Sequence, residues 1–414
     1  MSTFQKSTSK LGKSGHLFLS VVLGLFALFC WQSAAQARDE QATIPQAAFN
    51  ALNEARELVG EQKWEDADKI LLQVIDRFSN DPHTLVSAWQ MRGYLLSESD
   101  RHQEALNAFD NALGCDEIDK SIRSWLLYNS AQILIILEQY DEALKRISKW
   151  TDMAGELTPD EHAGVAWIHY QAGSYQQAVK HMKAAIQNAD KPRDSWMEML
   201  VAAMHNADDY AGLLKWLPVL LERHPDERRY WEHLAGVHMH MGNDHKAAAV
   251  LSAGYQSGVF DSSDDIVRLV QLYRQAGVPR KGALILQQAL EDGKIPDRPG
   301  YYQILADAWH QASELRLAAN AMQEKLTRQN NCQCRLRLGR LFMQIEDWDE
   351  ASEHLRLATE SQCPKARRDA LFLLGISQYH QGRLDSAREA FRQAENDPEL
   401  RSRARYWIEI LDRG

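Results

Sequence analysis

VSAWQMRGYLLSESDRHQEALNAFDNA, residues 86–112, decides the fold. Its apolar residues recur at three and four, the spacing of a helix with one buried face. The pattern predicts a unit of two antiparallel helices. Trp89, Gly93, Ala105, Phe109 and Ala112 stand 4, 12, 4 and 3 residues apart. Small Gly93 and Ala105 let two antiparallel backbones approach, and the large side chains fill the space between them. One such hairpin cannot bury its apolar face alone, so it needs neighbours of its own kind.

Those neighbours recur along the chain. The last shows Leu371, Leu374, Gly375, Ala387, Phe391 and Ala394 in the same frame, and the one before it Leu338, Gly339, Phe342, Ala351, Leu355 and Ala358. Weaker copies carry Trp231, Leu234, Ala247 and Leu251, or Tyr302, Leu305, Ala318 and Met322. The small residue opening each second helix aligns as Ala67, Ala105, Ala143, Ala178, Gly212, Ala247, Gly282, Ala318, Ala351 and Ala387. Successive spacings run from 33 to 38 residues. The fold class is therefore all-α, a solenoid of about ten hairpins over residues 48–400. Gly173, Gly242, Gly277 and Gly382 fall where a first helix must end, and glycine accepts the left-handed conformation of that cap. Pro82, Pro159, Pro192, Pro225, Pro364 and Pro398 fall between hairpins. Pro218 lies inside an expected helix and predicts a kink. The first hairpin has Ala51 where a large residue belongs. At the other end Tyr406, Trp407, Ile410 and Leu411 predict a capping helix over residues 401–414.

The W-x3-G…A-x3-F-x2-A pattern and its period resemble the tetratricopeptide repeat, over nearly the whole chain after the leader. The resemblance implies a right-handed superhelix whose concave face is lined by first helices and binds polypeptide. Its inward positions fall on Tyr94, Trp125, Tyr128, Gln132, Trp167 and Tyr170 in hairpins two to four. Later hairpins place Met239, His240, Gln271, Arg274, His310, Arg340, Met343, Phe372 and Tyr379 there. Aromatic and arginine side chains are the usual anchors of protein interfaces. Two stretches, LVQLYRQAGVPRKGALILQQALEDG (269–293) and RARYWIEIL (403–411), are similar to the exported repeat proteins encoded beside TonB, ExbB and ExbD in gamma-proteobacteria. That similarity implies partners among such inner-membrane components and a role in energy-dependent iron uptake across the outer membrane. A scaffold for another envelope assembly, serving peptidoglycan synthesis or polysaccharide export, is the alternative.

The N-terminus predicts export. Lys6, Lys10 and Lys13 precede an apolar run from Leu17 to Trp31, and Ala35-Gln36-Ala37 gives a cleavage pattern before Arg38. The run is shorter than the ~20 residues of a bilayer-spanning helix. Residues 1–37 thus read as a signal peptide and 38–47 as a linker, with a periplasmic destination. An uncleaved leader would instead anchor the chain to the inner membrane. Membrane contact is expected only through that leader or through partners. The net charge of -10 makes nucleic acid a poor partner.

No nucleophile-elbow, zincin, P-loop or dinucleotide-binding motif occurs, so neither catalysis nor a cofactor is expected. A metal-binding role for the cysteines and histidines is the alternative of a different class. His233 and His240 share a helix face but lie two turns, about 10 Å, apart, too far for one metal. Cys332 and Cys334 open the first helix of hairpin nine, and Cys363 ends its second. An antiparallel hairpin brings those ends together, so a disulfide from one of the pair to Cys363 is expected. It would close a loop of about 30 residues and contribute about 3–4 kcal/mol. Free thiols are the other reading, and no metal is expected.

Overall fold

The computed structural model describes residues 44–116, 118–360 and 364–413. The leader and Cys363 lie outside them. Twenty-one helices and no strand occur among the described residues. The chain forms two compact units, up to His181 and from Met182. The first contains α1 (Gln46–Gly60), α2 (Trp64–Arg77), α3 (Pro82–Glu98), α4 (His102–Leu113), α5 (Lys120–Ile136), α6 (Tyr140–Ala154) and α7 (Pro159–Gln171). The division falls within α8 (Tyr175–Asn188). The second unit continues with α9 (Asp194–Asn206), α10 (Tyr210–Arg223), α11 (Arg228–His240), α12 (Asp244–Gln256), α13 (Ser263–Gln275) and α14 (Pro279–Glu291). It ends with α15 (Pro299–Gln311), α16 (Leu315–Arg328), α17 (Cys332–Gln344), α18 (Trp348–Thr359), α19 (Pro364–His380), α20 (Leu384–Glu395) and α21 (Arg401–Arg413). The fold is an all-α helical-repeat solenoid.

One turn recurs in all ten hairpins. Gly173, Gly242, Gly277 and Gly382 take positive φ, as expected, and so do Gln62, Asp100, Glu138, Asp208, Ser313 and Glu346. In every case the next residue's N–H donates to the carbonyl five residues back, as from Gln139 to Leu134 (2.8 Å) and from Glu314 to Trp309 (2.9 Å). This satisfies a carbonyl that the ending helix leaves without a partner. The left-handed residue also supplies a register. Five residues after it, nine hairpins place the expected alanine or glycine. Hairpin five departs: Gly212 comes four after Asp208, and the fully buried Leu213 holds the aligned position. Gly212 is small for another reason. Asp209 caps α10 by accepting from the Gly212 N–H (2.8 Å), and a Cβ there would lie 2.9 Å from the Met204 sulfur.

The same register explains the core. Nine residues after the left-handed residue stands a buried large side chain, among them Leu71, Phe109, Leu251, Leu355 and Phe391. Seven residues before it stand Gly93, Gly339 and Gly375, over which Phe109, Leu355 and Phe391 lie. Hairpin seven exchanges the sizes. Val270 occupies the first-helix position, and Gly282 on the second helix sits where a Cβ would be 3.1 Å from the Val270 backbone.

The structure bears on three further expectations. The helix α10 runs through Pro218 from Tyr210 to Arg223, and Pro218 is exposed. The carbonyl that loses its partner there, one turn back at Leu214, can turn to water. In α21 the buried stripe is Ala404, Trp407, Ile408 and Leu411, with Trp407 stacked on Phe391 at 5.5 Å. Tyr406 is 63% exposed instead. Cys332 is disulfide-bonded, to a partner outside the described residues, whereas Cys334 is a free thiol. The helix faces account for the choice. Cys332 packs with Leu355 and Ala358 of its own hairpin, while Cys334, two residues on, packs with Leu338, Met322 and Ala319 on the side of hairpin eight.

Candidate partner-binding surfaces

In the first unit, α3, α5 and α7 are the first helices of hairpins two, three and four. Tyr94, Gln132 and Trp167 each stand six residues before the left-handed turn residue and thus hold one register on successive first helices. Tyr94 and Trp167 are half-buried, and burial raises the Tyr94 hydroxyl above the usual phenol range. Trp125 is half-buried too, edge-on to Phe109 at 5.5 Å. Tyr170 is half-buried and edge-on to Tyr175 at 5.6 Å. These four rings keep a face toward solvent.

Tyr128 and Gln132 do not. They are 7% and 4% exposed. The Tyr128 ring packs on Trp150 with centroids 4.9 Å apart, and its hydroxyl reaches the α7 backbone at Gly164, where any Cβ would collide with it. Burial pushes that hydroxyl up to about 12, and the hydrogen-bonded Gln132 amide pulls the other way. Both residues are part of the core between hairpins three and four. Gly164, opposite Tyr128, is the residue whose type could have shown it.

The second unit engages its expected groove residues locally. Arg274 donates from Nε to Gln311 (2.9 Å), and the Gln311 amide donates back to the Arg274 carbonyl (3.0 Å), tying α13 to α15. Arg340 pairs with Asp369 (3.0 Å), and His310 meets Gln344 at 3.2 Å. His240 stacks on Tyr210 at 4.3 Å. Tyr379 is edge-on to Trp407. Phe372 is buried against Phe391, with Arg403 over its other face. Met239, Gln271 and Met343 keep some exposure.

A histidine cluster escaped the sequence reading, because its members come from different helices. In the first unit His162 and His181 approach with their Nδ1 atoms 3.1 Å apart, and His169 stacks on His181 at 5.7 Å. One ring must donate and the other accept, so the pair is built for neutral imidazoles. Burial, then His169, His162 and Lys180, lower His181 to about 4; burial also lowers His162 and His169. In the second unit burial and His205 lower His233 to about 4. Among the described residues no three His, Cys, Asp or Glu side chains gather to hold a metal ion. A proton is the cation these rings would meet first. Unfolded, His181 binds it near pH 6.5 and folded only near 4, so its contribution to stability is whole above about 6.5 and falls as pH drops toward 4. His181 is only partly buried, which limits its share to about 1–2 kcal/mol. The melting temperature is thus expected to fall several degrees between pH 7 and 4.5, and by less in His181→Gln. An equal fall in that variant would remove His181 from the account.

The turns, the small-over-large packing and the half-exposed rings define a repeat scaffold of tetratricopeptide type. Residues 336–400 match the family model for the tetratricopeptide repeat. That segment, hairpins nine and ten, is thus a tetratricopeptide-repeat segment, and hairpins with the same turn and the same small-over-large packing precede it. A tetratricopeptide repeat protein from Parabacteroides merdae is 13% identical, over 72% of this chain and all of that one, with a TM-score of 0.39. The C-terminal part of another, from Cytophaga hutchinsonii, is 14% identical over 68% of this chain and 97% of its own, with a TM-score of 0.37. YrrB, described as having an unusual peptide-binding site, is 16% identical over 44% of this chain and 89% of its own, at 0.35. No curated protein matches the chain.

Proposed function

We propose that this protein is an exported scaffold that binds partner polypeptides through the half-exposed rings of its first unit and performs no chemistry of its own. The observation that carries the reading is the set Tyr94, Trp125, Trp167 and Tyr170. These are large rings on first helices of three consecutive hairpins, none of them fully enclosed. Rigid aromatic side chains gain contact area at low entropic cost, which is why they anchor interfaces. Export is supported by the lysines, the apolar run and the Ala-Gln-Ala pattern of residues 1–37. It makes the periplasm the compartment and permits the Cys332 disulfide, whose proposed partner is Cys363. The partners we propose are components of a TonB–ExbB–ExbD machine serving outer-membrane iron uptake. The support is the similarity of residues 269–293 and 403–411 to the repeat proteins encoded beside such systems.

A photo-crosslinking residue at position 170 in cells tests this directly. Crosslinks to TonB, ExbB or ExbD homologues are expected, and crosslinks confined to glycan-synthesis or polysaccharide-export proteins would overturn the assignment. Combining Trp167→Ser with Tyr170→Ser should cut partner capture about tenfold, the equivalent of about 1.4 kcal/mol, with a small change in melting temperature. A large stability loss with capture intact would make these rings core.

A further inference from the structure

The second unit holds a cleft of about 440 Å³ where α15, α16 and α17 meet, lined by both polar and apolar side chains. Three cationic side chains line it. Lys325 donates from Nζ to the Gln303 carbonyl oxygen (2.8 Å), and no carboxylate among the described residues pairs with it. Gln303 is held by its own amide, which donates to Asp307 (3.0 Å), and Asp307 pairs with Arg337. Arg340 pairs with Asp369 at the rim. Buried Leu336 and Leu341 complete the lining with apolar surface.

Of the three lining cations, Arg337 and Arg340 each have a carboxylate partner, and Lys325 has none among the described residues. Its present acceptor is a neutral amide, a weaker partner than a carboxylate. The Gln303–Asp307–Arg337 chain meanwhile fixes the cleft wall before any ligand arrives, which lowers the ordering cost of binding. We infer that this cleft binds a glutamate or aspartate side chain of an acidic segment in a partner polypeptide, with Lys325 as the principal contact and Arg340 as the second. The apolar lining suits the methylene stem of such a side chain. A single carboxylate matches the one lining cation that lacks an anionic partner. A phosphate dianion would bring a second negative charge toward Asp307 and Asp369. The inference rests on the reading of the protein as a polypeptide-binding scaffold but uses none of the aromatic residues of the first unit.

The test uses the full exported chain and a fluorescein-labelled peptide, Gly-Leu-Glu-Glu-Leu-Gly, blocked at its terminus, beside the same peptide with glutamines. The acidic peptide is expected to bind about tenfold tighter, as a charged hydrogen bond exceeds a neutral one by about that factor. Lys325→Met and, separately, Arg340→Gln should remove most of the difference, and added salt should weaken it. Equal affinity for the two peptides, an unchanged Lys325→Met protein, or displacement of the peptide by millimolar inorganic phosphate would each overturn the proposal. The Trp167→Ser, Tyr170→Ser protein should bind the acidic peptide normally. If in-cell crosslinks at position 170 persist while the acidic peptide fails to bind, the cleft assignment alone falls.

Discussion

Trp309→Ala is expected to destabilise the protein by about 3–5 kcal/mol. Trp309 ends the first helix of hairpin eight, is 2% exposed, and belongs to one buried cluster with Ala306, Ala318, Met322 and Leu338. The small residues around it leave room for one large ring, so truncation creates a cavity that alanines cannot fill. The backbone has little freedom to close the gap. The Trp309 carbonyl accepts the turn hydrogen bond from Glu314 (2.9 Å), and Ser313 is held at positive φ beside it. Repeats depend on their immediate neighbours, so the loss should be local. Hydrogen exchange in the variant is expected to accelerate in α15, α16 and α17, while α3 to α6 keep their protection. A denaturant midpoint unchanged from wild type would show that the cavity is tolerated.

The hairpin count, the helical class and the capping segment were legible because small residues and large rings repeat at a fixed period. The left-handed turn was legible only at Gly173, Gly242, Gly277 and Gly382. At Gln62, Asp100, Glu138, Asp208, Ser313 and Glu346 the packing of the two helices imposes a conformation that side chains resist. Composition there carries no sign of it. Gly212 misled because a glycine needed for an N-cap stands one residue from the packing position held by Leu213. The aromatic surface was half legible. Trp125 and Tyr128 are three residues apart on one helix, a spacing that leaves them on neighbouring faces. Only the glycine opposite, on α7, assigns Tyr128 to the interior. The cleft was not legible beyond Arg340, because Lys325 projects from a second helix and first helices alone were expected to bind. The histidine cluster joins residues 19 apart in sequence, a separation no single-helix pattern reveals.

Gly375→Val is expected to cost about 3 kcal/mol, and Phe391→Leu in the same chain is expected to return part of it. A Cβ on Gly375 would lie 2.7–2.9 Å from three atoms of the Phe391 ring, closer than real Cβ contacts come. The ring cannot retreat. Trp407 stacks on it at 5.5 Å with planes 11° apart, and Phe372 meets it edge-on at 5.7 Å. Overpacking must therefore shift α19 against α20, or push the capping helix α21 outward. Hairpin nine provides the contrast. There Gly339 faces the branched end of Leu355, 2.5 Å from its nearest atom, and no ring stack is described behind it. Gly339→Val should thus cost less than Gly375→Val. Hairpin seven already shows that the exchange can be made, with Val270 on the first helix and Gly282 on the second. Urea denaturation of the two single variants and the Gly375→Val, Phe391→Leu double variant measures the coupling. Strict additivity would mean that Phe391 is not what excludes a side chain at position 375.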